Sequence, residues 1–410
     1  MAAKSQTIVS LDIGTSNVKA VISDVVLEKG EPVINIIGVG SAPSKGLRKG
    51  VVINIEATVN SIASAVQMAE TMAGRKVSSV YIAMSGEHIQ SLNSDGTVRI
   101  RSGEVSKHDI VKVMDDASAV AIPADKAPLH VIPREFIVDD QKGIKDPLGM
   151  SGVRLEARVH IILGAVSSSR NIIKCANKCG LNVAGIVLAP IASAQAVITP
   201  EEKELGVCMI DIGGGTVDLS IFHAGGIRHS CVFSFGGSYF TNDIAAVLMT
   251  PIASAEEIKC RYVNLLEQGE GVGQGIDVPS TGGRPSRIVK SGYLTEIVKP
   301  RVVESFGFVR EELLRPEFAD RLAGGIVITG GSANMRGIAE VAESVFGLPV
   351  RIGRVTGVGG MGDMVVAPEY AAVVGAIKYG AQNLTSARTS QIGKVTSLAK
   401  SFGSWVSKHF

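Results

Sequence analysis

The sequence predicts an α/β protein built twice over. Two stretches carry that prediction. Residues 11–22 and 210–221 share one design: an apolar run, an Asp near its end (Asp12, Asp211), a glycine-rich turn and a second alternating run. Each reads as a β-hairpin whose tip is bare backbone N–H beside one carboxylate. Glycine permits positive φ and leaves the amides open to phosphate oxygens. A third strand-into-glycine junction, Ile328-Thr329-Gly330-Gly331-Ser332-Ala333, stands near the end of the second half.

The elements follow in order. Residues 7–39 alternate as three strands, punctuated by Gly30 and Gly38. Residues 56–72 read as a helix, because Val59, Ile62, Ala63, Val66 and Ala69 share a face and Gly74 closes it. A buried strand at 77–84 follows. Between about 85 and 166 the character changes: a strand at 97–101, a helix at 109–120, a proline-punctuated stretch at 122–147 and a strand at 155–163 make a small α+β insertion. A helix at 168–179, a strand at 183–188 and a helix at 191–198 complete the first half. Strands at 206–210, 216–222 and 227–234 then repeat the opening. Helices at 238–249 and 255–266 lead into a glycine-rich loop at 267–285. Residues 292–310 carry a helical pattern that Pro300 breaks or restarts. A strand at 325–329 and helices at 336–346 and 369–380 close the core. Residues 381–393 read as a polar linker, and 395–410 as a final amphipathic segment.

Composition bounds the function. At 410 residues, 45% hydrophobic and 20% charged, two or three folded domains are expected. A net charge of +2 with 4% aromatics argues against a nucleic-acid binder, which shows a basic surplus and stacking rings. No secretory leader is expected, and no run approaches the roughly 18–20 apolar residues that cross a bilayer. Five scattered cysteines fit reduced thiols in a cytosol. Cys175 and Cys179 are spaced i,i+4, but no His or Cys stands near them in sequence to complete a metal site.

The two hairpins and the 328–333 junction, in this order, resemble the phosphate-1, phosphate-2 and adenosine motifs of the actin/heat-shock-chaperone/sugar-kinase ATPase superfamily. Within it the chain most resembles the bacterial cell-division family FtsA, over nearly its whole length. The likeness includes residues 204–216, 278–285 and 323–331, the tail Gly403-Ser404-Trp405, and the position of the insertion. It implies a duplicated actin-like (ribonuclease H-like) ATPase fold with the nucleotide cleft between two halves. Residues 1–84, 165–200 and 361–385 would form the first subdomain, and 85–164 the inserted domain. Residues 201–229 and 304–360 would form the second, with 230–303 a smaller unit inserted in it. Residues 386–395 would be a linker and 396–410 a membrane-targeting amphipathic helix.

The expected ligands are ATP and Mg²⁺. Asp12 and Asp211 end facing strands and are placed to orient waters around the ion. Amides of Gly14, Thr15, Ser16 and Asn17 cradle one side of the polyphosphate, and those of Gly213, Gly214, Gly215 and Thr216 the other. Lys19 matches the superfamily lysine that reaches the phosphates. Gly330, Gly331 and Ser332 let adenine approach the backbone, and Glu256 and Lys259 match the ribose-contacting pair. Where relatives carry a Glu or Gln to position the attacking water, this chain has Ala189, whose methyl group can neither orient water nor accept its proton. Binding with slow or negligible hydrolysis is expected: at most a weak ATPase.

In the tail, Leu398, Phe402, Trp405, Val406 and His409 fall on one helical face that Phe410 widens, while Lys400 and Lys408 lie on the other. Sixteen residues span about 24 Å, which suits lying in a membrane interface with lysines toward anionic headgroups. The resemblance implies an actin-like polymer linking the tubulin-like protein FtsZ to the inner membrane at the division septum and recruiting later division proteins. The FtsZ C-terminal peptide would dock on the unit at 230–303, where Arg284, Arg287 and Lys290 form a basic edge. Two alternatives stay open at this point: a pilus-type or shape-determining actin homologue, and a sugar kinase or phosphatase-type phosphotransferase on the same fold.

Overall fold

A computed structural model describes residues 5–392 except 268, 270, 316, 319 and 320, with side chains described as far as residue 383. The chain opens with β1 (Gln6–Ile13), β2 (Asn17–Glu28) and β3 (Glu31–Pro43). A short pair, β4 (Leu47–Arg48) and β5 (Val51–Val52), leads to α1 (Ile55–Ala73) and β6 (Ser79–Met84). Asn54 caps α1 by accepting from the Ala57 amide, and Gly74 ends it at φ 65°. Alanines on α1 lie against bare backbone on β3: a Cβ on Gly38 or Gly40 would strike the carbonyls of Ala69 and Ala65.

The insertion holds β7 (Gln90–Arg99), α2 (Lys107–Ser118), β8 (Lys126–Val138), β9 (Gln141–Ile144) and β10 (Arg154–Ala165). Its antiparallel sheet has the order β7-β10-β8-β9, and α2 packs on it around Val113, Met114, Leu155 and Val159. The first half then finishes with α3 (Val166–Lys178), β11 (Asn182–Leu188) and α4 (Ala189–Val197).

The second half runs through α5 (Pro200–Leu205), β12 (Val207–Ile212), β13 (Val217–His223), β14 (Gly226–Phe233), α6 (Gly237–Leu248), α7 (Ile252–Tyr262), β15 (Gly275–Val278) and β16 (Arg287–Lys290). Then come α8 (Ser291–Leu313), β17 (Ile326–Thr329), α9 (Ile338–Phe346), β18 (Val350–Ile352), β19 (Gly359–Gly360) and α10 (Ala371–Ile392).

The duplication is visible strand for strand. The first sheet runs β11-β6-β1-β2-β3-β19, and the second runs β14-β13-β12-β17-β18. Reading β3-β2-β1-β6-β11 against β14-β13-β12-β17-β18, each pairing has the same sense: two antiparallel, then two parallel. Helices α4 and α10 are packed between the sheets. One core cluster joins Ile8 and Val21 of the first sheet, Met209 and Val327 of the second, and Val373, Val374 and Ile377 of α10. Gly375 lets α10 press onto the Ala192 carbonyl, and Ser10 donates to the Val373 carbonyl at 2.7 Å.

The insertion is tied to both halves. His130 accepts from the Leu188 amide at 3.0 Å, and His160 shares a 2.9 Å hydrogen bond with Ser230 of β14. Burial pushes His130 down to about 4, so its ring is a neutral acceptor.

Two readings of the sequence need correction. Pro300 neither breaks nor starts α8 but lies inside it, because Leu294, Val298, Val302, Phe306 and Val309 bury one continuous face on both sides of the missing N–H. The expected linker from Ala381 continues α10 as helix to Ile392. The tail residues Leu398, Lys400, Phe402, Trp405, Val406, Lys408 and Phe410 lie outside the described residues.

Candidate functional site

Antiparallel pairing delivers the two hairpin tips to one place. Asp12 faces Lys19 across β1 and β2, and Asp211 faces Asp218 across β12 and β13. The turns between them are tight: the Gly14 amide donates to the Asn17 carbonyl at 3.1 Å, and the Gly213 amide to the Thr216 carbonyl at 3.0 Å. The tips touch. A Cβ on Gly215 would lie 2.5 Å from Thr15 Oγ1, and one on Gly214 would overlap Ser16 Oγ and sit 3.1 Å from Ser16 Cβ. Both tips line a cleft of about 890 Å³ between the halves, together with Asp12, Lys19, Asp211, Asp218 and Ala189.

The cleft floor holds more negative than positive charge. Burial raises Asp12 above the usual carboxylate range, with Lys19 acting against it. Asp211 is pushed up to about 6, first by burial and then by the nearby Asp12 carboxylate, while Ser193 on α4 donates to it at 2.6 Å. Asp218 is pushed up to about 8 by burial and by Asp211, although hydroxyls of Ser85 and Thr216 both donate to it. Three carboxyl groups with one lysine close by, their ionisation opposed by burial and by one another, form a hard-oxygen donor set that a divalent cation favours in its charged form. The residues present fit Mg²⁺.

The outer wall comes from the second half. Gly330 sits at φ +86°, and a side chain there would strike the Asp211 carboxylate. Residues 331–334 make one 3₁₀ turn that brings Ser332 against Gly237, where a Cβ would lie 2.6 Å from Ser332 Oγ. Lys259 pairs with Glu256 at 2.8 Å and donates to the Gly237 carbonyl at 3.1 Å and to Thr241 at 2.9 Å. Burial would raise Glu256, but Lys259 and the Thr241 hydroxyl outweigh it and hold it below the usual range. The Glu256/Lys259 pair is therefore anchored to the start of α6 rather than solvated on a helix surface.

Every nucleotide-contact residue expected from the sequence lines this one cleft. Arg284, Arg287 and Lys290 do not; they are exposed on the β15–β16 unit, where Arg287 donates to the Leu248 carbonyl at 2.9 Å. Sequence reasoning missed Ser193, Ser85, Asp218 and the pair Glu369 and Tyr370. Asp218 had a signal, since it holds the place in the second hairpin that Lys19 holds in the first. Tyr370, whose ring centroid lies 5.5 Å from Lys19 Nζ, had none.

This arrangement is the actin-like ATPase fold. The chain superposes on a structure titled PilM-PilN type IV pilus biogenesis complex with TM-score 0.65 at 18% identity, covering 91% of this chain and 98% of that one. MreB 5 of Spiroplasma citri bound to AMPPNP gives 0.57 at 17% identity, covering 94% and 99%. At those identities the likeness is one of fold. Sequence goes further: residues 86–163 match the model of the SHS2 domain inserted in FTSA, and residues 208–375 that of cell division protein FtsA. Cell division protein FtsA of Pseudomonas aeruginosa is 49% identical over 375 residues, 92% of this chain and 89% of that protein. Its Escherichia coli K12 counterpart is 39% identical over 414 residues, 99% and 97% of the two chains. The chain belongs to the FtsA cell-division family. Among the described residues, no helix is long and apolar enough to cross a membrane.

Proposed function

We propose that the cleft binds ATP with Mg²⁺ and that the nucleotide acts as an assembly ligand for an actin-like polymer tethering FtsZ to the membrane. The observation that carries this reading is the cluster of Asp12, Asp211 and Asp218 beneath two touching glycine tips. Amides of residues 14–17 and 213–216 bind phosphate oxygens, and Lys19 offsets their charge. Gly330, Gly331 and Ser332 receive the adenine, and Glu256 and Lys259 the ribose. Mg²⁺, held through water by Asp12 and Asp211, supplies charge neutralisation when bound. Ala189, first residue of α4, faces the cleft where a water-positioning group would stand. Turnover is accordingly slow.

The polymer's partners are further copies of the chain, the FtsZ C-terminal peptide at Arg284, Arg287 and Lys290, and later division proteins. Anionic lipids take the tail at Leu398, Phe402, Trp405, Val406 and Phe410, flanked by Lys400 and Lys408. The protein then works peripherally, on the cytoplasmic face of the inner membrane at the septum. Many weak anchors side by side make reversible attachment firm. Co-sedimentation with anionic vesicles and FtsZ tests this: ATP with Mg²⁺ increases pelleting of both proteins. Equal pelleting with and without nucleotide contradicts it.

A further inference from the structure

The His229, Cys231 and Glu312 cluster lies outside the nucleotide cleft. His229 and Cys231 alternate on β14 and so point to one side of the sheet. Glu312 comes from the last turn of α8. One ligating atom from each residue lies within 4.8 Å of the other two. His229 Nε2 is 2.6 Å from Glu312 Oε1, and Arg315 holds the other carboxylate oxygen at 2.8 Å. Phe318 stacks on the imidazole at a centroid distance of 5.1 Å. The His229 and Glu312 side chains are each 14% exposed, so the group is sheltered but reachable.

We propose that His229, Cys231 and Glu312 form a second metal site, for a transition ion of the Zn²⁺ type. Nitrogen, thiolate sulfur and carboxylate oxygen together favour such an ion over Mg²⁺, which takes oxygen alone. Three protein ligands leave the fourth tetrahedral position to water. Tetrahedral ligand bonds of about 2.0–2.3 Å place donors roughly 3.3–3.6 Å apart, so the His229–Glu312 pair opens by about 0.7 Å on loading. Arg315 and Phe318 orient the carboxylate and the ring as outer supports do at such sites. The carbonyls ending α8 also favour a cation at its last turn. On loading, the Cys231 S–H bond breaks and its proton leaves to solvent. The Nε2–H of His229, which donates to Glu312 in the empty site, also breaks. The ring takes a proton from solvent at Nδ1 as the Nε2 proton leaves, which frees the Nε2 lone pair, and a sulfur–metal bond forms with no change of oxidation state. The ion would fasten the end of α8 to β14, the strand that meets the inserted domain through Ser230 and His160.

The test uses the full chain, reduced and stripped with a chelator, then titrated with Co²⁺ alone. One equivalent giving a sulfur-to-cobalt charge-transfer band, displaced by Zn²⁺, is expected. The band reports sulfur only, so an ion among the cleft carboxylates is silent in it. C231S abolishes the band, whereas C260S, which changes the exposed cysteine, keeps it. E312Q, with folding checked by circular dichroism, weakens binding at least about tenfold. No band in the natural sequence, a band that survives C231S, or undiminished affinity in E312Q overturns the proposal.

Discussion

Substituting Gly214 by Ala separates the two phosphate tips by a known obstacle. Gly214 lies outside the left-handed region, so the change carries no backbone strain of its own. Its new Cβ would overlap Ser16 Oγ, which can rotate away, but also sits 3.1 Å from Ser16 Cβ, which cannot. Reaching ordinary contact needs roughly half an ångström of movement between the tips. Overpacking of this kind costs about 1–3 kcal/mol. If the movement opens the phosphate cradle, G214A binds ATP about 5- to 150-fold more weakly. Ser16→Gly supplies the control. It removes both offending atoms and leaves the backbone N of residue 16 at 3.5 Å, an ordinary contact. The double variant S16G/G214A therefore regains most of the lost affinity. Equilibrium titration with a fluorescent ATP analogue reads both effects, with thermal melts to show that each variant folds. Binding by G214A within about twofold of the natural sequence would refute the touching-tip geometry. So would a double variant no better than G214A.

Three further outcomes are expected. Turnover of the natural sequence stays below about one per second, and A189E raises phosphate release at least about tenfold by placing a base in the cleft; unchanged release would show that this position does not face the attacking water. Without ligand, the folded chain keeps a proton on Asp218 up to about pH 8, whereas an ordinary Asp loses it near 3.8. The stability linked to that proton is fully present below 3.8 and is lost as pH rises through about 8. Melting temperature therefore falls across this window and D218N flattens the fall; equal slopes would contradict the burial argument. Finally, a chain ending at Gly393 no longer pellets with anionic vesicles, and retention of full pelleting would remove the tail from the membrane role.

Much of this was legible because the signals were local and periodic. The hairpins at 12–19 and 211–218 declare themselves by spacing, and their shared register follows from the pleat. Pro300 misled because its local cost is outweighed by burial that only the folded neighbours supply, among them Phe306 against Phe346. Residues beyond Ala381 are polar and small, yet nothing there forbids helix, so α10 propagates through them. β19 has only Gly359 and Gly360, too short for any alternation to show. Tyr370 and Glu369 reach the cleft from a turn after Pro368, brought there by packing of α10 between the sheets. No pattern in their own neighbourhood marks them. Ser193 lies one turn of α4 after Ala189, but its hydrogen bond to Asp211 depends on how that helix packs against the second sheet.

The most direct measurement is a crystal structure of the chain with a non-hydrolysable ATP analogue and Mn²⁺ in place of Mg²⁺. An anomalous peak beside Asp12 and Asp211, with phosphates held between residues 14–17 and 213–216, is the expected result. Nucleotide bound elsewhere, or a triphosphate in the cleft with no ion near those carboxylates, would contradict the account.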